Sequence, residues 1–355
     1  MKEENLSMMA GPLLSWYAEN KRTLPWRGTG DPYCVLVSEI MLQQTRVAAV
    51  IPYYLRWMEV LPDVESLAAV DEERLMKLWQ GLGYYSRARN LRRAAKMMME
   101  TYAGRFPETR EELLRLPGVG EYTAGAVASI AFGQAVPAVD GNVLRVASRV
   151  TGEDGDILDP GVRRRFQQLL EQVIPPDRPG EFNQALMDLG AMVCLPNGMP
   201  DCGQCPLAPF CEANRLGLQG VLPVRRKKAA RRVEDLTVYL LLREGRIALR
   251  RREDTGLLAG LWEFPHVPGS LEEARAGDPL DTWALKAVSW QKKLTARHIF
   301  THVEWHMTGY LLEVSGEGCN LTWTGQEELD LLAVPSAFSK FLEEARRALR
   351  EGTER

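Results

Sequence analysis

One carboxylate in this sequence has neighbours that favour chemistry on a phosphate-containing molecule, and a second carboxylate lies within an otherwise apolar helical run. Asp140 lies near the end of the stretch 116–142, LPGVGEYTAGAVASIAFGQAVPAVDGN, and Glu39 lies in the stretch 37–47, VSEIMLQQTRV. The Leu-Pro-Gly-Val-Gly turn can expose backbone N–H groups at the start of a helix, which favours an anionic oxygen there. A helix over 122–132 is about 16 Å long and the eight residues after it span up to about 26 Å, so the chain can double back. Phosphate binding and chemistry can therefore share one segment.

Each carboxylate also has an ordinary structural interpretation. Asp140 or Asn142 is a typical N-cap for the helix expected over 143–151. A lone glutamate such as Glu39 is most often a solvated residue on a helix surface. The residues alone leave both alternatives open.

Four of the six cysteines fall within eighteen residues, in the pattern C-x7-C-x2-C-x5-C: Cys194, Cys202, Cys205 and Cys211. In a cytosolic chain, four thiolates so close together suit a metal or an iron–sulfur cluster better than disulfides. A zinc ribbon usually has two C-x2-C pairs and only one is present, so the spacing favours a cluster, with zinc and plain structural thiols as the alternatives. Cys34 and Cys319 lie far away, and we expect both to be unpaired.

The composition is that of a soluble globular protein. The 355 residues suffice for two domains, and 45% of them are hydrophobic while 26% are charged. The net charge of −3 neither indicates nor excludes nucleic-acid binding. There is no apolar run long enough to span a membrane and no signal-peptide core, so we expect a cytoplasmic monomer without membrane contact.

The hydrophobic periodicity divides the chain into a helical half and a mixed half. A helix capped by Asp31-Pro32 is followed by predicted helices at 46–60, 71–81, 86–101, 121–132, 143–151, 161–174 and 181–194. The second half begins with a hairpin through Glu244-Gly245, has β-like segments at 261–265 and 298–314, and ends in a helix from Pro335-Ser336 to about Glu351. We therefore predict a helical domain over 1–218, a basic linker over 219–234 and a small α+β domain over 235–355.

Several motifs resemble those of the MutY family of adenine DNA glycosylases, which share the helix-hairpin-helix superfamily with endonuclease III. They are LPWR (24–27), VSEIMLQQTRV (37–47), GLGYYSRARNL (81–91), LPGVGEYTA (116–124), FNQALMDLGAMVC (182–194) and GLLAGLWEFP (256–265). The resemblance extends from about Leu13 to the last helix. It implies a helical glycosylase domain with an iron–sulfur loop, followed by a Nudix-like α+β domain. The cysteines would hold a 4Fe-4S cluster, although the first gap has seven residues here and usually six in the family.

The resemblance implies an enzyme that flips adenine out of duplex DNA and excises it opposite 8-oxoguanine or guanine. Glu39 would be the general acid, with its pKa raised by burial, and Asp140 would stabilise or trap the sugar cation. Tyr122 and Asn142 would hold Asp140 and the sugar by hydrogen bonds. Bifunctional relatives carry a lysine at the position of Tyr122, so the tyrosine implies a monofunctional glycosylase.

The DNA contacts are also implied by the resemblance. Gly118 and Gly120 would bind phosphate, Gln43 would fill the vacated stack with Thr45 nearby, and Leu24 and Arg27 would lie near the base pocket. Leu82 and Tyr84 would form a wedge that probes the opposite strand, although Tyr84 could instead belong to the core. The basic run of six residues over 225–232 is either a solvated linker or a path for phosphates.

The second domain would recognise 8-oxoguanine through Phe300, Thr301 and His302, where the family has Phe-Ser-His. We find no Gly…Arg-Glu…Glu-Glu box, so this domain is expected not to hydrolyse nucleotides. His306 is expected to be an ordinary strand residue. Three other functions remain as alternatives: a bifunctional glycosylase/lyase for damaged pyrimidines, a Nudix-type nucleotide hydrolase, and a cluster protein that binds DNA or senses redox state without catalysis.

Overall fold

The computed structural model describes residues 3–226 and 230–353, and these fall into two compact units. The first unit contains the residues up to Val70 and those from Arg89 to the linker. The second contains Asp71–Ala88 and the residues after the linker. Asp71–Ala88, which we predicted within the helical half, thus groups with the second unit. The proposed boundaries at 218 and 235 stay predictions.

The first half of the chain is helical, as predicted. Its helices are α1 (Glu4–Ser7), α2 (Ala10–Asn20), α3 (Pro32–Leu42), α4 (Val47–Val60), α5 (Val64–Ala69), α6 (Glu72–Trp79), α7 (Ser86–Thr101), α8 (Arg110–Leu113), α9 (Glu121–Phe132), α10 (Gly141–Thr151), α11 (Pro160–Val173), α12 (Pro179–Met192) and α13 (Glu212–Leu216). Two short 3-10 turns, Cys202–Gln204 and Ala208–Phe210, lie between α12 and α13. In the described part of the chain, no helix combines the length and the apolar character that crossing a bilayer requires.

Local sequence signals fix the helices that carry the candidate site. Asp31 caps α3 by accepting the N–H of Tyr33 at 2.8 Å, and Pro32 occupies the first helical position. Helix α9 begins after Gly120 and ends at Gly133, whose φ of 66° is the left-handed C-cap that glycine adopts without strain. Helix α9 is mostly apolar, and α10 places its valines and Leu144 toward the interior, so both helices contribute with α12 to the core of the first unit.

The second half builds one mixed sheet. Its strands are β1 (Arg232–Arg243), β2 (Arg246–Arg251), β3 (Trp262–Glu263), β4 (His266–Pro268), β5 (Leu285–Ile299), β6 (Val303–Gly316) and β7 (Thr322–Thr324). The order is β3-β2-β1-β6-β5, with β4 paired to β1 and β7 to β2, and among the described strands β1 and β6 are the one parallel pair. Two helices follow, α14 (Gln326–Leu331) and α15 (Ser339–Thr353), and α15 packs its apolar side on the sheet. The α+β prediction for this half is confirmed.

The β segment predicted over 298–314 corresponds mainly to β6, but it also runs across a turn into β5, most of which was not predicted. The structure has a long hairpin, β5–β6, whose turn lies at residues 300–302. Strand β5 is an edge strand with many exposed residues, and its register shifts twice, between Ala287 and Ser289 and between Trp290 and Lys292. Each shift interrupts the alternation of apolar and polar residues by which a strand is recognised in a sequence, so this pattern does not predict β5.

Candidate active site and cysteine cluster

A cleft of about 1230 Å³ in the first unit contains the four residues predicted to do chemistry: Glu39, Tyr122, Asp140 and Asn142. The same cleft is lined by six residues predicted to contact DNA or the excised base: Leu24, Arg27, Gln43, Thr45, Gly118 and Gly120. Helix α3 supplies Glu39, α9 supplies Tyr122, and the start of α10 supplies the Asp140 and Asn142 pair. Residues from three separate stretches of sequence therefore meet at one site.

The chain doubles back after α9 as the length estimate allowed. A Cβ atom on Gly125 would lie 2.4 Å from the carbonyl oxygen of Pro137, so only glycine permits this close return. Asn183 on α12 is fully buried and holds the returning segment, because its side-chain oxygen accepts the N–H of Ala138 at 3.0 Å and its amide donates to the carbonyl of Val136 at 2.9 Å. These contacts fix the backbone that leads to Asp140.

Asp140 is both the N-cap of α10 and a wall of the cleft. One carboxylate oxygen accepts the backbone N–H groups of Asn142 and Val143 at 2.8 Å each, and the other accepts the Asn142 side-chain amide at 2.8 Å. Burial raises the pKa of Asp140 above its ordinary value, while these three hydrogen bonds stabilise the ionised form and oppose the rise. Asp140 is thus the N-cap of α10, as one interpretation of the sequence predicted, and it also lines the cleft.

Glu39 is held in a form that can carry a proton near neutral pH. Only 6% of its surface is exposed, and burial raises its pKa to about 7, with the negative charge of Asp140 acting in the same direction. The hydroxyl of Tyr122 donates a short hydrogen bond to Oε2 of Glu39. The predicted contact from Tyr122 to Asp140 is therefore replaced by one to Glu39, and among the described residues it is Asn142 whose side chain donates to Asp140.

Arg27 lines the cleft with its guanidinium fixed by a buried carboxylate that sequence reasoning missed. Nη1 and Nη2 of Arg27 donate to the two oxygens of Asp188 at 2.6 and 2.8 Å, and Nε of Arg22 donates at 2.7 Å. Asp188 is completely buried, and although burial opposes its ionisation, the two guanidinium groups lower its pKa overall. The available signal was the polar Asp188 within the otherwise apolar stretch 185–193.

Arg145 connects Asn142, the partner of Asp140, to the segment that carries the first cysteine. Its Nη2 donates to Oδ1 of Asn142 at 2.9 Å and to the carbonyl of Gly190 at 2.6 Å, and its Nε donates to the carbonyl of Cys194 at 2.7 Å. A Cβ atom on Gly190 would lie 2.6 Å from Cβ of Asn142, so glycine is needed for α12 to approach this closely. The position of Asn142, and through it that of Asp140, thus depends on the segment that carries the first cysteine.

The hairpin turn and the end of α3 form the rim of the cleft. Gly118 has a φ of 79°, and a Cβ atom there would lie 2.5 Å from Cβ of Asn90. The side chain of Gln43 donates to Thr123 at 3.4 Å and is half-buried. Its neighbour Gln44 is exposed at the cleft with a φ of 59°, an uncommon value for a non-glycine residue. Gln44, which the sequence did not single out, is therefore more exposed at the rim of the cleft than Gln43.

The residues predicted to read the opposite strand lie in the second unit. Tyr84 is 46% exposed, has a φ of 47°, and its hydroxyl lies 2.6 Å from Oγ1 of Thr301. Phe300 packs edge-on against Trp305, with ring centroids 4.8 Å apart, and His302 is exposed. Tyr84 is thus a surface residue, not part of the core. Its predicted partner Leu82 is only 7% exposed, so of this pair Tyr84 alone is presented to the surface in this conformation.

Four cysteine side chains surround one small apolar cavity: Cys194, Cys202, Cys205 and Cys211. None forms a disulfide, and Arg149 donates from Nη1 to Sγ of Cys194 at 3.2 Å. Burial raises the pKa of the Cys205 thiol to about 12, with the other three cysteines acting in the same direction, and a bound cation would favour the thiolate form. Cys34 is buried in α3 and Cys319 is exposed, both unpaired as expected.

The four thiols that line this cavity form a donor set that suits either a zinc ion or an iron–sulfur cluster, in which the ligands are distributed over several metal atoms. The N–H group directed at a cysteine sulfur is also typical of cluster surroundings.

Residues 37–172 match the HhH-GPD superfamily of base excision DNA repair proteins, and residues 237–344 match the NUDIX domain. The adenine DNA glycosylase of Homo sapiens is 38% identical over 396 residues, an alignment that covers 93% of this chain and 72% of the human protein. That of Mus musculus is 37% identical, covering 97% and 79%. The helical part resembles a thermostable thymine-DNA glycosylase with a TM-score of 0.55 and 29% identity, covering 60% of this chain and 98% of that one. This chain belongs to the adenine DNA glycosylase family.

Proposed function

We propose that this protein hydrolytically excises adenine from duplex DNA where the adenine is mispaired with 8-oxoguanine or guanine. Membership of the adenine DNA glycosylase family makes it a hydrolase of N-glycosyl bonds that acts in base excision repair. The observation that carries the proposed mechanism is the pairing, in one cleft, of a buried Glu39 whose pKa is about 7 with a hydrogen-bonded Asp140. Two carboxylates in different environments are what acid-assisted glycosyl cleavage requires.

The reaction starts with protonated Glu39. Its carboxyl group donates a proton to N7 of the flipped adenine, so that the base leaves with the electrons of the N-glycosidic bond. The sugar is left as an oxocarbenium-like cation, which the ionised Asp140 stabilises. A water molecule then adds to the anomeric carbon and gives its proton to the Glu39 carboxylate, which restores the starting protonation state. Asn142 holds the Asp140 carboxylate through the bond from its side-chain amide.

The residues around the cleft support a monofunctional enzyme. Strand cleavage by the lyase route needs an amine that forms a Schiff base with the sugar. No lysine is among the residues described as lining this cleft. The phenol of Tyr122 cannot substitute, because an oxygen nucleophile cannot form a Schiff base. Excision without efficient strand cleavage is the expected outcome.

The second unit would supply the preference for 8-oxoguanine. Thr301 lies in the turn of the β5–β6 hairpin, between half-buried Phe300 and exposed His302, and its hydroxyl is hydrogen-bonded to that of Tyr84. The threonine hydroxyl is the group expected to contact the damaged base in place of serine. In this proposal residues 1–218 excise adenine, 235–355 recognise the lesion, and 219–234 link the two functions.

Single-turnover excision assays on three duplexes test this function. We expect adenine release to be fastest opposite 8-oxoguanine, slower opposite guanine and undetectable opposite thymine. Borohydride should trap little protein on the same DNA, whereas a lysine-dependent lyase run in parallel should be trapped efficiently. Efficient trapping would contradict the monofunctional assignment, and equal rates on all three duplexes would contradict lesion recognition.

The cysteine set is proposed to hold a 4Fe-4S cluster through Cys194, Cys202, Cys205 and Cys211. A cluster bound there would cross-link the loop to Cys194, just after α12. The carbonyl of Cys194 accepts Nε of Arg145, whose Nη2 in turn donates to Asn142. Metal and sulfide analysis of the purified protein should find iron and acid-labile sulfide in equal amounts. Stoichiometric zinc without sulfide would instead support the zinc alternative.

A further inference from the structure

Two adjacent arginines on α11 line the cleft without an acidic partner. Arg163 and Arg164 are exposed, and among residues 3–226 and 230–353 no carboxylate forms an ion pair with either. The next residue is different, because Arg165 forms ion pairs with Glu3 and with Glu153, the latter at 3.7 Å. One turn of α11 thus presents two guanidinium groups without an acidic partner to the cleft. The guanidinium of Arg165, which has acidic partners, does not line the cleft.

A third arginine lies beside the candidate catalytic aspartate. The linker segment that carries it is held on the first unit, because the carbonyl of Val224 accepts the N–H of Ile157 at 3.1 Å and the carbonyl of Leu222 accepts Nε of Arg149 at 2.8 Å. Nη2 of Arg225 lies 4.0 Å from the position that a Cβ atom would take on Gly141, the residue after Asp140. Arg225 is exposed, whereas Arg226 lies 3.9 Å from Asp156. Lys227 and Lys228, also in the predicted basic run, lie outside the described residues.

These three arginines suit a polyanion at this end of the cleft. The floor carries Glu39 and Asp140, and an ionised Asp140 repels approaching phosphates. Guanidinium groups nearby offset that repulsion, and their fixed donors bind phosphate oxygens in pairs. The chain as a whole carries a net charge of −3, so binding to DNA has to rely on local groups of this kind.

We propose that Arg163, Arg164 and Arg225 bind the phosphates of the adenine-containing strand next to the flipped nucleotide. This inference rests on the proposed function, since it takes duplex DNA as the ligand of the cleft. The α11 arginines extend the DNA contact beyond the hairpin turn at Gly118 and Gly120. Phosphate contacts fix the position of the duplex without reading its sequence, so the contribution is the same for mispaired and fully paired DNA.

The test is the salt dependence of duplex binding by the variant Arg163→Gln/Arg164→Gln. The slope of log Kd against log salt concentration should become shallower by about 2, since each lost phosphate contact contributes roughly 0.9. Arg225→Gln should change the slope by about 1. The loss of affinity should be equal for a duplex with an adenine:8-oxoguanine pair and for a fully paired duplex of the same length.

Two further variants separate this contact from a structural effect. Arg165→Gln is the matched control, and its slope, affinity and excision rate should equal those of the unaltered protein. Arg163→Lys/Arg164→Lys keeps the charge and should keep most of the slope. An unchanged slope in Arg163→Gln/Arg164→Gln, or a loss confined to the mispaired duplex, would overturn the inference. Failure of the unaltered protein to release adenine would instead overturn the proposed function, because the slope is measured independently of catalysis.

Discussion

Glu39→Gln is expected to lower the single-turnover rate of adenine release by about 100- to 10,000-fold, the usual contribution of a positioned general acid. Glutamine keeps the size of the side chain and can still accept the hydrogen bond that Tyr122 donates to Oε2. It has no proton to give to the departing adenine. The measurement is the rate of base release with enzyme in excess over an adenine:8-oxoguanine duplex.

The pH profile of the same reaction gives a second signature of Glu39. The reactive form is the protonated one, so the rate of the unaltered protein should be high below pH 7 and fall as the pH rises through about 7. At lower pH the rate should fall again when Asp140 takes up a proton, and burial moves that fall above the ordinary aspartate range. Glu39→Gln should lack the fall near pH 7.

Glu59→Gln is the control for this experiment, since Glu59 is an exposed carboxylate on α4 outside the cleft. It should leave both the rate and the pH profile unchanged. If Glu39→Gln released adenine at a rate within tenfold of the unaltered protein, or kept the fall near pH 7, another group would have to be the acid.

The residue types at this site could be predicted from the sequence, but their contacts could not. Asp31-Pro32, Gly120 and Gly133 specify where α3 and α9 begin or end, because capping preferences are local. The bond between Tyr122 and Glu39 depends on how α9 packs against α3, which no local pattern encodes. The choice of Glu39 over Asp140 as the partner of the Tyr122 hydroxyl is therefore determined by the tertiary structure.

The buried polar residues that position the site were harder to recognise for a related reason. Asn183, Asp188 and Arg145 are polar residues within helices, where a sequence pattern ordinarily assigns them to the solvated face. Each is buried because its partners, among them the backbone of Val136 and Ala138, come from distant segments. Only the fold shows that these side chains satisfy groups which would otherwise be buried without hydrogen bonds.

Asp140→Asn separates the two roles that the structure gives to Asp140. As an N-cap, asparagine is nearly as good as aspartate, and its oxygen can still accept the N–H groups of Asn142 and Val143. Loss of the negative charge at the start of α10 should lower the free energy of unfolding by about 1 kcal/mol or less. Chemical or thermal unfolding measures this small effect.

The effect of Asp140→Asn on the rate of adenine release should be much larger than its effect on stability. Without the carboxylate, the positive charge that develops on the sugar has no anion beside it, and removal of one such preorganised group costs about 100- to 1,000-fold. At present the side-chain amide of Asn142 donates to Oδ2 of Asp140. In Asp140→Asn an amide group would take the place of Oδ2, so two hydrogen-bond donors would face each other. We therefore expect a rate loss at the upper end of this range with little change in stability.

Asp159→Asn is the matched control, because Asp159 caps α11 with the same pattern of bonds, to the N–H groups of Gly161 at 2.7 Å and Val162 at 3.3 Å, and does not line the cleft. It should lose a similar amount of stability and retain the full rate of adenine release. If both variants retained that rate, Asp140 would be a helix cap alone. A rate loss confined to Asp140→Asn would identify the charge beside the sugar, and not the cap, as the origin of the effect.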